Sequence, residues 1–402
     1  MSSIYVSKNS DYTSENRLHL DESGIYNGDP SINVSVHFSG MRGFGLGGLL
    51  YIYGSDVYPR LITSSASDFG TEAFLKTSGG YLFDYSDRTG RTDLNGGNFG
   101  DVLRSGSGAD VLDGGDGNDV FEGRAGADQL IGGAGINTAS YVHSGAGVTV
   151  DLTAHTAIGG DASGDILTNI TQLIGSSFVD NLTGDRNANT LAGHGGADRL
   201  HGMAGNDRLV ITGNADFAAL DDGAALNGGT GIDTLLFVSG GSVKLEAGSI
   251  TGIERIYARG GGSLDMSELT KGQNVISQST DTHSAHVIGS QEADRIHAGE
   301  GGDTIAGGKG GDKLFAGSGE DTFHFQDSFG RDNVYGFSTE TDHINIHIAG
   351  VDAGDIKLAE FHDGQDTIVT FAGVDGTNKI ILHDVTIADL HAGPSDLFIF
   401  GA

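Results

Sequence analysis

A nine-residue period constrains this chain more than any other feature. Aligned on an aspartate or asparagine at position 6 and an apolar residue at position 8, it fills three blocks. The first, 96–140, reads GGNFGDVLR, SGSGADVLD, GGDGNDVFE, GRAGADQLI, GGAGINTAS; the second, 175–210, reads GSSFVDNLT, GDRNANTLA, GHGGADRLH, GMAGNDRLV. The third, 289–324, reads GSQEADRIH, AGEGGDTIA, GGKGGDKLF, AGSGEDTFH, and a lone copy, GGTGIDTLL, lies at 228–236. Position 8 is apolar throughout, from Leu103 and Leu112 to Leu314 and Phe323. Six glycine-rich residues followed by three with an apolar centre describe a tight loop and a very short strand with one inward side chain. Two such units close a coil, and stacked coils share strand hydrogen bonds. The period therefore predicts an all-β fold, a parallel β-solenoid. Ordinary Asp-Gly turns do not explain a fixed nine-residue phase.

Position 6 carries Asp101, Asp110, Asp119, Asp128, Asn137, Asp180, Asn189, Asp198, Asp207, Asp233, Asp294, Asp303, Asp312 and Asp321, with Asp332 slightly out of phase. Stacking brings these side chains together two repeats apart. The expected pairs are Asp101 with Asp119, Asp110 with Asp128, Asp119 with Asn137, Asp180 with Asp198, Asn189 with Asp207, Asp294 with Asp312, and Asp303 with Asp321. Each carboxylate pair adds repulsion of about 1 kcal/mol or more. Burial of one leucine contributes about 1.5–3 kcal/mol, less than the cost of ordering nine residues. A hard divalent cation between loops relieves both problems. Calcium fits, because it takes about 6–8 oxygens in flexible geometry, whereas zinc prefers nitrogen or sulfur. The asparagine pairs are expected to bind more weakly.

Composition narrows the classes further. The 69 glycines in 402 residues are more than twice the usual share of about 7%, and with 3 prolines and no G-X-Y period the chain is not collagen. Without cysteine it has neither disulfides nor cysteine-ligated metals. Its formal charge of −32 disfavours nucleic acid and anionic lipid as partners. The first thirty residues lack the apolar core of a cleaved signal, and no apolar stretch reaches the length of a membrane helix.

The nonapeptide G-G-x-G-x-D-x-U-x resembles the RTX, or hemolysin-type calcium-binding, repeat. The resemblance runs from Gly96 towards the C-terminus and implies a right-handed parallel β-roll that binds several Ca2+ ions. It also implies export by a type I secretion apparatus from a Gram-negative bacterium, with folding on extracellular calcium. The final segment DVTIADLHAGPSDLFIF resembles the uncleaved C-terminal region of such proteins. The resemblance specifies no activity, since RTX blocks accompany enzymes, toxins, adhesins and surface-layer proteins.

Residues 1–95 read as a β-rich module or solenoid cap. Residues 141–174 and 211–288 read as inserts with longer strands continuing the solenoid. Block three extends to 335, and 336–402 reads as a C-terminal antiparallel β cap in which HINIHI, DTIVTF, NKIILHDV and SDLFIF form hairpins. Asp161 and Asp165 read as an acidic turn rather than as further ligands, and His343 and His347 as a solvated strand face rather than a transition-metal pair. Neither H-E-x-x-H nor G-x-S-x-G is present. The resulting expectation is a secreted, non-catalytic structural or adhesive protein whose partner is itself or a cell-surface polysaccharide. The alternative is a polysaccharide-acting enzyme or carbohydrate-binding effector working from the solenoid face or from residues 1–95.

Overall fold

A computed structural model describes residues 82–400, except positions 88, 214, 218, 221, 222, 239 and 375. Before residue 82 it describes only the strand backbones Ser2–Val6, Val34–Phe38, Gly48–Gly54, Leu61–Ser64 and Thr71–Thr77, so the reading of 1–95 lies largely outside the described residues. The chain divides into two compact units, 1–194 and 195–402.

In the first unit one parallel sheet carries Leu82–Asp84, Val102–Arg104, Val120–Glu122, Thr138–Ser140, Gln172–Ile174 and Thr190–Ala192. A second carries Asp93–Gly97, Val111–Gly115, Gln129–Ile131 and Ile166–Thr168. Leu103 lies opposite Phe121, and Leu112 opposite Leu130, each eighteen residues on. Two nonapeptides therefore make one coil. The inward column Phe83, Leu103, Phe121, Ala139, Leu173 and Leu191 is fully buried, which is why position 8 tolerates only apolar residues.

The second unit repeats the plan. One parallel column of strands runs through Arg208–Thr212, Thr234–Val238, Arg255–Arg259, Asn274–Gln278, Arg295–His297, Lys313–Phe315, Arg331–Tyr335 and Lys379–Leu382. The other ends on Thr322–Gln326, His343–His347 and Phe398–Phe400, also parallel. Strands between 211 and 288 reach five residues, whereas those between 141 and 174 have three, against the expectation of longer strands in both inserts.

An antiparallel cap is present, but it is smaller than a run of four hairpins. Ile356–Phe361, Asp366–Phe371 and Lys379–Leu382 pair antiparallel, while HINIH and FIF are solenoid rungs paired in parallel. Alternation marks a strand without giving its direction, and the partners lie far apart in sequence. A short helix, Ile387–Ala392, opens on a capping box between Thr386 and Asp389.

Candidate metal centres

All fifteen expected ligands are at most 3% exposed. Their arrangement follows from the register. Within the regular runs Oδ1 accepts the backbone N–H of the position-6 residue one coil earlier. Asp101 donates to Asp119 at 2.7 Å, Asp110 to Asp128 at 2.8 Å, and Asp119 to Asn137 at 3.0 Å. In the second unit Asp207 donates to Asp233 at 2.7 Å, Asp294 to Asp312 at 2.8 Å, Asp303 to Asp321 at 2.8 Å, and Asp312 to Asp332 at 2.9 Å. Asp180 accepts from Val148 at 2.7 Å. The expected pairs Asp180 with Asp198 and Asn189 with Asp207 span the two units and stay expectations.

The carboxylates also pack against the first residue of their own repeat. A Cβ at Gly114 would collide with the Asp119 carboxylate, and one at Gly307 with that of Asp312. Glycine at 114 and 307 is thus a space requirement of the aspartate five residues on, whereas Ser105, Ala298 and Ala316 hold position 1 in other repeats.

The second carboxylate oxygen separates the rungs into two geometries. In closed rungs the N–H of position 2 donates to Oδ2: Ser176 to Asp180 at 2.6 Å, Ser290 to Asp294 at 2.5 Å, Gly299 to Asp303 at 2.8 Å and Gly317 to Asp321 at 2.7 Å. In open rungs Oδ2 is buried without a hydrogen-bond partner, at Asp119, Asp128, Asp233, Asp312 and Asp332. Position 2 there is left-handed: Gly115 (φ 86°), Arg124 (62°), Gly229 (99°), Gly308 (92°) and Ser328 (64°). None of Ser176, Ser290, Gly299 and Gly317 is. The backbone turn thus decides whether the loop satisfies its own carboxylate.

Burial drives the acidities up. Asp128 is pushed to about 8, with Asp165 and Asp110 adding repulsion, and Asp294 and Asp321 to about 6. Asp312 and Asp332 are both raised, chiefly by desolvation. Buried unpartnered oxygens on groups that resist ionisation are what a divalent cation would satisfy, so the open rungs fit calcium.

Three members were missed or undervalued in the sequence. Asp165, read as an acidic turn, is 2% exposed, accepts from Asp128 at 2.9 Å and from the Tyr141 hydroxyl at 3.1 Å, and is pushed by burial to about 6. Glu254 accepts from Asp233 at 2.7 Å. Asp342 accepts from Asp321 at 3.1 Å and Ser338 at 2.8 Å, making a closed rung. The signal available for Asp342 was Ile344 two residues on, the spacing of position 6 to position 8. His343 sits 3.7 Å from Glu320 and 3.9 Å from Asp396, and His347 stacks on His324 at 5.8 Å.

The RTX calcium-binding nonapeptide repeat matches in four copies, over 95–130, 104–139, 174–209 and 288–323. No curated protein matches the chain significantly. Among solved structures, the extracellular lipase LipA from Serratia marcescens is similar at 17% identity and a TM-score of 0.18. That match covers 83% of this chain, which spans only 45% of the lipase. Among the described residues no helix is long and apolar enough to cross a membrane. The chain carries RTX, hemolysin-type calcium-binding repeats, which bind Ca2+ at multiple sites and here build a parallel β-roll.

Proposed function

We propose that this is a secreted protein, exported by a type I apparatus, that folds on extracellular calcium and serves as a structural or adhesive component of the cell surface or matrix. The open rungs at Asp119, Asp128, Asp233, Asp312 and Asp332 hold the ions that make the roll rigid. The other position-6 residues close their rungs through backbone hydrogen bonds or complete the shell of a neighbour.

The observation that carries the adhesive half is the outer face of the longer parallel sheet in the second unit. Arg208, Arg255, Arg259, Arg295, Lys313 and Arg331 are exposed on it, and none is in an ion pair among the described residues. From Arg208 to Tyr335 the strand positions that alternate with the buried core include no carboxylate. The chain as a whole has 54 acidic against 22 basic residues, so this segregation reverses the local field. The rungs repeat at about 4.8 Å, giving a linear cationic array suited to a linear polyanion. Arg208, Arg255 and Arg259 border a cleft of about 490 Å³ with Tyr257 and Gln278.

The partner that fits is a carboxylated surface polysaccharide. Guanidinium groups grip carboxylates bidentately. The aromatic rings beside them stack on one another, His297 on Phe315 at 4.1 Å and Phe315 on Tyr335 at 4.8 Å, which leaves few free faces for nucleic-acid bases. Binding of calcium-loaded protein to soluble polyuronate oligomers tests this. The triple substitution R208Q/R255Q/R295Q should weaken affinity at least tenfold and flatten its salt dependence. Equal binding by the triple variant would overturn the assignment of this face, and turnover of the oligomer would favour the enzymatic alternative.

A further inference from the structure

Outside the calcium ladder, the antiparallel cap gathers three metal-binding side chains that are far apart in the repeat pattern. His362 follows the strand Ile356–Phe361, Asp366 opens Asp366–Phe371, and His383 follows Lys379–Leu382. Their ligand atoms all lie within 4.8 Å of one another. Both imidazoles turn Nδ1 towards one carboxylate oxygen, Asp366 Oδ2, at 2.5 Å for His362 and 3.0 Å for His383.

The surroundings fix the orientation of each ligand. The Asn333 side-chain nitrogen faces the Asp312 carbonyl at 3.5 Å, which turns Asn333 Oδ1 to His383 Nε2 at 3.1 Å. Nε2 therefore donates, which leaves Nδ1, facing Asp366 Oδ2, as the ring nitrogen able to ligate a metal. Asp366 Oδ1 accepts the Asp384 N–H at 2.9 Å. The His383 ring is clamped on Tyr335, with centroids 4.2 Å apart and planes 4° apart. His362 and Asp363 hold left-handed φ angles of 47° and 55°, a costly conformation for two successive non-glycine residues. The three ligand atoms converge on one point, Asp366 and His383 are oriented from behind, and the exposed side of His362 leaves room for water.

We propose that His362, Asp366 and His383 form a transition-metal site, for zinc first, with His362 Nδ1, Asp366 Oδ2 and His383 Nδ1 as ligands and water completing a tetrahedron. Two nitrogens and one oxygen are a zinc-type donor set, too few and too soft for calcium. The second ring nitrogen of His383 bound to an amide oxygen is the usual outer support of such ligands. The ion fastens the cap, and through Asn333 ties it to the solenoid rung that carries Asp332. This site is independent of the adhesive reading.

The test uses untagged full-length protein saturated with calcium. Zinc is titrated in, and bound metal is counted after dialysis. Cobalt(II) then reports geometry by its visible absorption. The expected result is one tight zinc equivalent that excess calcium does not displace, with an intense tetrahedral cobalt spectrum. His362→Ala should lower zinc affinity at least a hundredfold, and His383→Phe, which keeps the ring on Tyr335, should do the same. The control H343A/H347A should change neither. Zinc affinity equal in the wild type and the His362→Ala variant, or displacement by calcium, would overturn the site.

Discussion

The two edges of block three are built from the same repeat yet have different needs. On one edge, beyond the closed rung at Asp294, Asp312 and Asp332 each bury an oxygen with no partner. On the other, Asp303, Asp321 and Asp342 take both of their oxygens' partners from the protein, including Gly299, Gly317 and Ser338 N–H groups. Position 2 is left-handed beside Asp312 and Asp332, at Gly308 and Ser328, and not beside the other three. Two loops with one consensus can therefore either close on themselves or stand open for a cation. Metal dependence should follow the open edge.

The largest expected contrast is between removing one aspartate from each edge. Asp312→Ala should shift the calcium midpoint of folding at least tenfold, since a site at a hundredfold over its Kd contributes about 2.7 kcal/mol. Asp303→Ala should leave that midpoint nearly fixed and destabilise the protein at every calcium concentration. It orphans the N–H groups of Ala285 and Gly299 and the Ser279 hydroxyl, at about 1–3 kcal/mol for each buried donor. Calcium-dependent thermal melts separate the two, and identical calcium shifts would break the distinction.

Asparagine offers the next test. Asn137 closes its rung without an ion: Oδ1 accepts from Asp119, and Nδ2 donates to the Asn169 carbonyl at 3.2 Å. Asn137→Asp replaces that donor by an acceptor facing a carbonyl. The variant should lose about 1–3 kcal/mol in chelator and recover it with calcium, as read by denaturant unfolding under both conditions.

The pH response comes third. A buried aspartate whose folded pKa is raised keeps protons that the unfolded chain has lost, so metal-free stability falls as pH rises. With Asp294 and Asp321 at about 6 and Asp128 at about 8, the metal-free fold should be firmest near pH 4 and weaken through pH 6–8. Calcium should flatten this profile and release protons on binding. Circular dichroism against pH in chelator checks the first point, and calorimetry in buffers of different ionisation enthalpy the second.

The smallest effect concerns backbone strain. Met203 occupies position 2 at φ 80°, where glycine is the unstrained residue. Met203→Gly should stabilise the calcium-loaded protein by about 1 kcal/mol, raising Tm by a few degrees.

Most of the ladder was legible because two constraints recur in phase: an inward side chain every nine residues, and an acidic or amide group two residues before it. Where the phase breaks, legibility ends. Asp165 lies 28 residues beyond Asn137, past an insert, and reads locally as a turn. Glu254 and Asp342 are hidden because each lies 21 residues beyond its partner, Asp233 and Asp321, out of the nine-residue phase. The open and closed rungs differ in φ at position 2, and glycine occupies that position in both, as Gly308 and Gly317 show. The His362, Asp366 and His383 cluster depends on cap strands whose pairing no period announces. The cationic face was likewise unread, since it appears only when outward residues are brought into register across rungs.

Amide hydrogen exchange with and without calcium tests the central claim most directly. The N–H groups of Asp294 and Asp312, which donate to Asp312 and Asp332 on the open edge, should be protected in calcium and exchange freely in chelator. Equal protection of these amides in chelator and in calcium would contradict a fold that the ion completes.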